Sequence, residues 1–167
     1  MDRTELRRLQ APLRERYTAD PATAVTPLHA RGAASDPGVT FTVDGFAGAA
    51  RAGLHAATGG DGSDACSGDM LLEALLACAG VTLRSVATAM DLPLRSVTGI
   101  AESTFDARGT LGVDREAPVG LGPTTVTFTV DTDADDAALD RLARSTERYC
   151  VVGASLRESP RVRVRRA

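Results

Sequence analysis

Three cysteines, Cys66, Cys78 and Cys150, carry the chemistry this sequence could most directly perform. An odd count does not make a disulfide framework, and in a reducing compartment thiols stay free unless a disulfide is transient or catalytic. A thiol reacts as thiolate, which requires a lowered pKa and some exposure. Otherwise a buried free cysteine serves as a small hydrophobe. Cys78 lies in an apolar run; on an ideal helix its face includes Leu71, Ala74, Leu75, Thr82 and Ser85. Cys150 closes Glu147-Arg-Tyr-Cys150, with two charges beside it, so that end is at least partly wet. Two thiols on two helices of one small domain can meet and close a reversible disulfide; their spacing leaves open whether they do. Cys66, in Asp64-Ala-Cys-Ser-Gly-Asp69, stands at a helix entrance, which favours thiolate, or packs as a loop residue on the first turn.

A metal held by Cys66, Cys78, Cys150 and His55 finds no CxxC or HxxxH spacing, so no metal is expected. The acids are placed less well than the thiols. Asp69 falls on the far side of a continuous helix from Cys78, and Glu73 lies about 140° away from it. Glu73 lines up instead with Ala77, Gly80 and Arg84, as a polar group for loop backbone or a neighbouring subunit. Asp69 reads as a helix-dipole residue.

These side chains need elements to hold them. Leu6, Leu9 and Leu13 give Thr4 to Tyr17 a helical stripe that Pro12 would kink or split. A strand is expected near Ala24 to Ala30 and another at Val39 to Val43, with Gly45 to Asp64 mostly loop. Ser67 looks like an N-cap for a helix running to about Met90 and ended by Pro93. From Met70 to Ala79 that helix is apolar on nearly every face, which predicts burial. Arg95 to Gly109 and Thr124 to Thr132 read as strands, the second with Val126, Phe128 and Val130 in clean alternation. A second long helix from Thr132 or Asp133 turns Leu139, Leu142 and Ala143 inward and reaches Cys150. A turn at Gly153 to Arg157 precedes a closing edge strand, Arg161 to Arg165. Strands segregated from two long helices indicate an α+β domain spanning 1–167, with 1–20 as a helical extension.

The balance of charge excludes some classes. At 43% hydrophobic and 25% charged, the 167 residues have ordinary globular composition. A net charge of −3 favours neither nucleic acid nor an anionic membrane. All the basic residues are Arg, which reads as coding bias rather than function. Met1 to Gln10 lacks the apolar run of a secretory signal, and no uninterrupted apolar stretch approaches the ~18 residues of a membrane span. The expectation is a cytoplasmic protein with no nucleic-acid or membrane partner.

Together the motifs match a known pattern. Ser67-Gly-Asp-Met-Leu-Leu-Glu-Ala-Leu-Leu-Ala-Cys78-Ala-Gly-Val-Thr-Leu83 resembles the central-helix signature of the OsmC/Ohr family, the osmotically inducible and organic hydroperoxide resistance proteins. Glu147-Arg-Tyr-Cys150-Val-Val with Leu156 resembles the family's second cysteine motif. His55 with Thr58-Gly-Gly60 resembles the loop before the helix, and Arg108-Gly109 a strand motif. The resemblance runs from about Gly53 to Val164. It implies an antiparallel sheet wrapped around a long buried central helix in an intertwined homodimer. It also implies reduction of organic hydroperoxides: Cys78 as peroxidatic thiol, Cys150 as resolving thiol, an external thiol reductant such as a lipoyl protein, and no bound cofactor. The family's acid at the helix entrance has Asp69 as nearest match, with Gly68 beside it, and its Arg has Arg31. Val151 stands where the family's second motif usually has proline. The alternative is a non-peroxidase of the same fold that binds a small apolar or electrophilic ligand in the dimer pocket. A purely structural scaffold would have both thiols sealed in apolar core.

Overall fold

The computed structural model describes residues 1–35 and 37–167. In chain order the elements are α1 (Arg3–Ala19), β1 (Arg31–Ala33), β2 (Phe41–Gly45), β3 (Gly48–Gly53), β4 (Ala65–Cys66), α2 (Ser67–Ala89) and β5 (Ser96–Glu102). They continue with α3 (Ala107–Thr110), β6 (Thr125–Asp131), α4 (Asp136–Tyr149), α5 (Val151–Ala154) and β7 (Arg161–Arg166). The class is α+β, with one sheet ordered β1-β2-β3-β4 and another ordered β5-β6-β7. The chain divides into two compact units, Met1–Leu28 with Leu76–Ile100 and Thr125–Ala167, and His29–Leu75 with Ala101–Thr124.

The first unit holds most of the core. β6 buries every second residue, Val126, Phe128 and Val130, as its alternation predicts. β7 pairs with it in parallel, Val126 opposite Val162. Parallel neighbours need a crossover, and α4 supplies it. Asp135 caps α4 by accepting from the Ala138 N–H at 2.7 Å, and Leu139 and Leu142 face inward. The last eight-residue stretch of α2 contributes Leu83 and Ala87, with Ala79 one turn earlier, all buried. Its exit is a left-handed cap at Asp91 (φ 58°), where the Leu92 N–H reaches back to the Ala87 carbonyl at 2.9 Å. At the head of β5, Arg95 donates to the carboxylates of Asp131 and Asp133 and ties that strand to the end of β6.

In the second unit β1, β2 and β3 pair antiparallel, and β4 joins β3 in parallel, with Gly53 opposite Cys66. An ion pair between Arg51 and Asp64 fastens β3 to the segment entering β4. Sheet pairing is therefore mixed, not antiparallel throughout.

Several elements differ from the sequence reading. α1 runs unbroken through Pro12: one proline removes one hydrogen bond, and the surrounding Arg, Leu, Glu and Gln residues are good helix formers. Ala24 to Ala30 forms no strand, since Ala24 ends a short helical turn and Pro27 cannot donate to a ladder; the strand comes later, as β1. Gly48–Gly53 is a strand inside the expected loop because register with β2 outweighs poor Gly and Ala propensity. Arg108 and Gly109 lie in the α3 turn, where Arg108 pairs with Asp106 at 2.6 Å, rather than in a strand. Finally, α2 is buried along the line of Leu75, Ala79, Leu83 and Ala87 and not on every face. Among the described residues it alone is long and apolar enough to cross a membrane.

Candidate active site

Cys78 sits in the middle of α2 and Cys150 at the junction where α4 ends and α5 begins. Cys150 performs two backbone tasks there. Its N–H donates to the Thr146 carbonyl at 3.1 Å, ending α4, and its sulfur accepts from the Gly153 N–H at 3.3 Å, capping α5. Gly153 is packed so closely that an added Cβ would lie 3.2 Å from Pro160 and 3.4 Å from the Cys150 sulfur. The Cys150 side chain is thereby fixed, and its residue is only 1% exposed.

Both thiols are free, and each influences the ionisation of the other. Their environments push them in opposite directions. Burial raises the Cys78 thiol, but the Val152 N–H, the Cys150 thiol, the Val151 N–H and the Thr82 hydroxyl outweigh it, so Cys78 lies below the usual thiol range. The Thr82 hydroxyl already donates to the Cys78 carbonyl at 2.8 Å, so its one proton is shared and it helps least. Cys150 is raised, first by burial and then by its role as donor to Cys78 and by the charge that Cys78 carries. Of the two, Cys78 is the easier to ionise, and it is part exposed.

Within the chain, the groups that lower the Cys78 thiol are amides, a thiol and a hydroxyl. Arg31 lies exposed in β1 of the other unit, and Asp69 and Glu73 are exposed on α2. Thr82 was visible in the sequence as a residue on the Cys78 face.

Cys66 occupies a separate setting. Within the second unit it lines a cavity of about 430 Å³ together with His55, Leu71, Phe105 and Leu121. His55 accepts the Ala57 N–H on Nδ1 at 3.0 Å and meets the Phe105 ring edge-on at 5.2 Å between centroids. The loop that carries it turns through Gly59 in the left-handed region (φ 98°).

Comparison with known proteins agrees with this architecture. The chain is similar to an organic hydroperoxide resistance protein OsmC from Legionella pneumophila, at 16% identity and a TM-score of 0.66, covering 86% of this chain and 98% of that one. It is similar to an organic hydroperoxide resistance protein from Elizabethkingia anophelis, at 13% identity and a TM-score of 0.65, covering 85% and 97%. It is also similar to an OsmC-like protein of unknown function from Vibrio cholerae, at 11% identity and a TM-score of 0.67, covering 84% and 99%. No curated protein matches. Likeness at such identities carries the fold, not the chemistry. The family model described as OsmC-like protein matches residues 60–165, which include both Cys78 and Cys150, and the chain belongs to that family.

Proposed function

We propose that this chain reduces organic hydroperoxides with Cys78 as the attacking thiol and Cys150 as the resolving thiol. What carries the reading is a pair of free thiols that influence each other, Cys78 held below and Cys150 above the usual thiol range. The Cys78 thiolate attacks the outer oxygen of ROOH; the O–O bond breaks, its electron pair leaves on RO⁻, and that alkoxide takes a proton to become ROH. Cys78 becomes a sulfenic acid. The Cys150 thiol then attacks the Cys78 sulfur, forming the disulfide and releasing water. A dithiol reductant, for which a lipoyl protein has suitable chemistry, restores both thiols by exchange and is itself oxidised to a disulfide. A thiol cycle of this kind operates in a reducing compartment, which makes the cytoplasm the proposed location. The names of the Legionella and Elizabethkingia relatives support the same chemistry.

The test is one equivalent of cumene hydroperoxide followed by mass mapping. Wild type should yield a Cys78–Cys150 disulfide. Cys78→Ser should consume no peroxide, because a serine hydroxyl is a far weaker nucleophile. Cys150→Ser should react once and leave a sulfenic acid that dimedone traps. Unmodified Cys78 in wild type would sink the proposal. That outcome would favour a second reading, supported by the cavity beside Cys66 and His55, in which the chain binds a small apolar or electrophilic ligand without peroxide turnover.

A further inference from the structure

Cys66 and His55 take no part in the proposed cycle, yet one cavity of the second unit brings both to its wall. At about 430 Å³ it has the size of a small-molecule site, and Leu54, Leu71, Phe105 and Leu121 make much of its lining apolar. The thiol is held by the backbone. Cys66 lies opposite Gly53 in the parallel β3–β4 pair, α2 begins at the next residue, and the side chain is free and half-buried. Gly68 leaves one approach to the sulfur open, since a Cβ there would lie 3.5 Å from it. The imidazole is held by its own loop. Nδ1 accepts the Ala57 N–H at 3.0 Å, which puts the ring's N–H at Nε2, and no described residue accepts from that atom. The cavity wall therefore carries a nucleophile and an unused N–H donor among apolar side chains.

We infer that this cavity is a second reactive site, in which the Cys66 sulfur captures a small α,β-unsaturated aldehyde or ketone with an apolar tail while the His55 Nε2–H holds its carbonyl oxygen. Sulfur adds to the β-carbon: the S–H bond breaks, an S–C bond forms, and the C=C electron pair moves toward the carbonyl. The Nε2–H stabilises the enolate oxygen that develops, as an oxyanion donor does. The thiol proton ends on the α-carbon, so the product is a thioether with its carbonyl restored, and no oxidant or reductant is consumed. Peroxide chemistry suits this wall less well. It would leave a sulfenic acid on Cys66, and the second unit holds no other cysteine to resolve it.

The site stands whether or not Cys78 turns over peroxide. Its test compares trans-2-hexenal with iodoacetamide, a thiol reagent that reacts by displacement, and locates the Cys66 adducts by peptide mass. The ratio of hexenal rate to iodoacetamide rate should be about tenfold higher at Cys66 than for glutathione, the effect of one good hydrogen bond in the transition state. His55→Phe keeps a ring beside Phe105 but has no N–H. It should slow hexenal addition about tenfold and leave the iodoacetamide rate unchanged. Hexanamide, which has the carbonyl and the tail but no alkene, should protect Cys66 from hexenal. A rate ratio equal to that of glutathione would overturn the inference. So would an equal loss of both rates in His55→Phe, because His55 would then only shape the loop. If His55→Phe does not fold, hexenal addition that neither saturates with concentration nor slows with hexanamide overturns it equally. Cys78 that resists hydroperoxide beside a Cys66 that prefers hexenal would remove the peroxidase reading alone, and the reverse pair of results would remove this site alone.

Discussion

Cys78 and Cys150 influence each other yet are displaced from the ordinary thiol range in opposite senses, Cys78 down and Cys150 up. A lowered midpoint leaves more thiolate at neutral pH, and a raised one leaves less. Brief iodoacetamide treatment at pH 7 should therefore label Cys78 and spare Cys150, which is also only 1% exposed. Equal labelling of the two, read by peptide mass, would contradict the assignment of roles. At this scale the sequence singled out the two thiols proposed to react and was uninformative about what sets their ionisation. Cys78 and Cys150 stood out by motif. The resemblance suggested a guanidinium brought to Cys78 in the dimer, with Arg31 the nearest match, while within one chain the Cys78 thiol is lowered by amides, a thiol and a hydroxyl. A main-chain donor is set by the path of the chain after Cys150, and no residue type announces it.

Elements with strong period were legible, and those made by pairing were not. β6 follows its Val126, Phe128, Val130 alternation, and α4 follows its Leu139 and Leu142 stripe because apolar period and burial coincide there. β3 has no such period, and only its register with β2 makes it a strand. The parallel β6–β7 pair likewise follows from the α4 crossover, which local pattern does not encode. The position of α2 against the β5–β6 face also depends on a residue that composition hides. A Cβ on Gly99 would lie 2.7 Å from the Phe128 ring and 3.0 Å from Leu76. Gly99→Ala should therefore force Phe128 or the helix to move and cost about 1–3 kcal/mol, the usual range for overpacking a core. Urea denaturation measures it. An unchanged or raised midpoint would mean that the contact relaxes freely and does not set the helix position.

At the level of the whole chain, the exposed surface is larger than the mass explains. The chain exposes 11518 Å². A monomer of 17.3 kDa would be expected to expose roughly 7,800 Å². Part of the excess is apolar helix. Only 22% of the most apolar window of α2 is buried, and Val81 is 72% exposed among exposed Ala74 and Ala77. A helix so apolar calls for cover on that face. A second copy of this chain is the proposed cover, with an interface above about 2,000 Å² in total, the size typical of obligate dimers. Sedimentation at micromolar concentration should then show a dimer, and its thermal midpoint should rise with protein concentration. Val81→Glu separates this proposal from a monomer. On a solvated helix face the change would matter by no more than about 0.5 kcal/mol. In a dimer it buries a carboxylate without a partner and should dissociate the pair or prevent folding. A Val81→Glu chain that sediments and melts like wild type would leave the apolar face of α2 without a partner copy and end the dimer proposal.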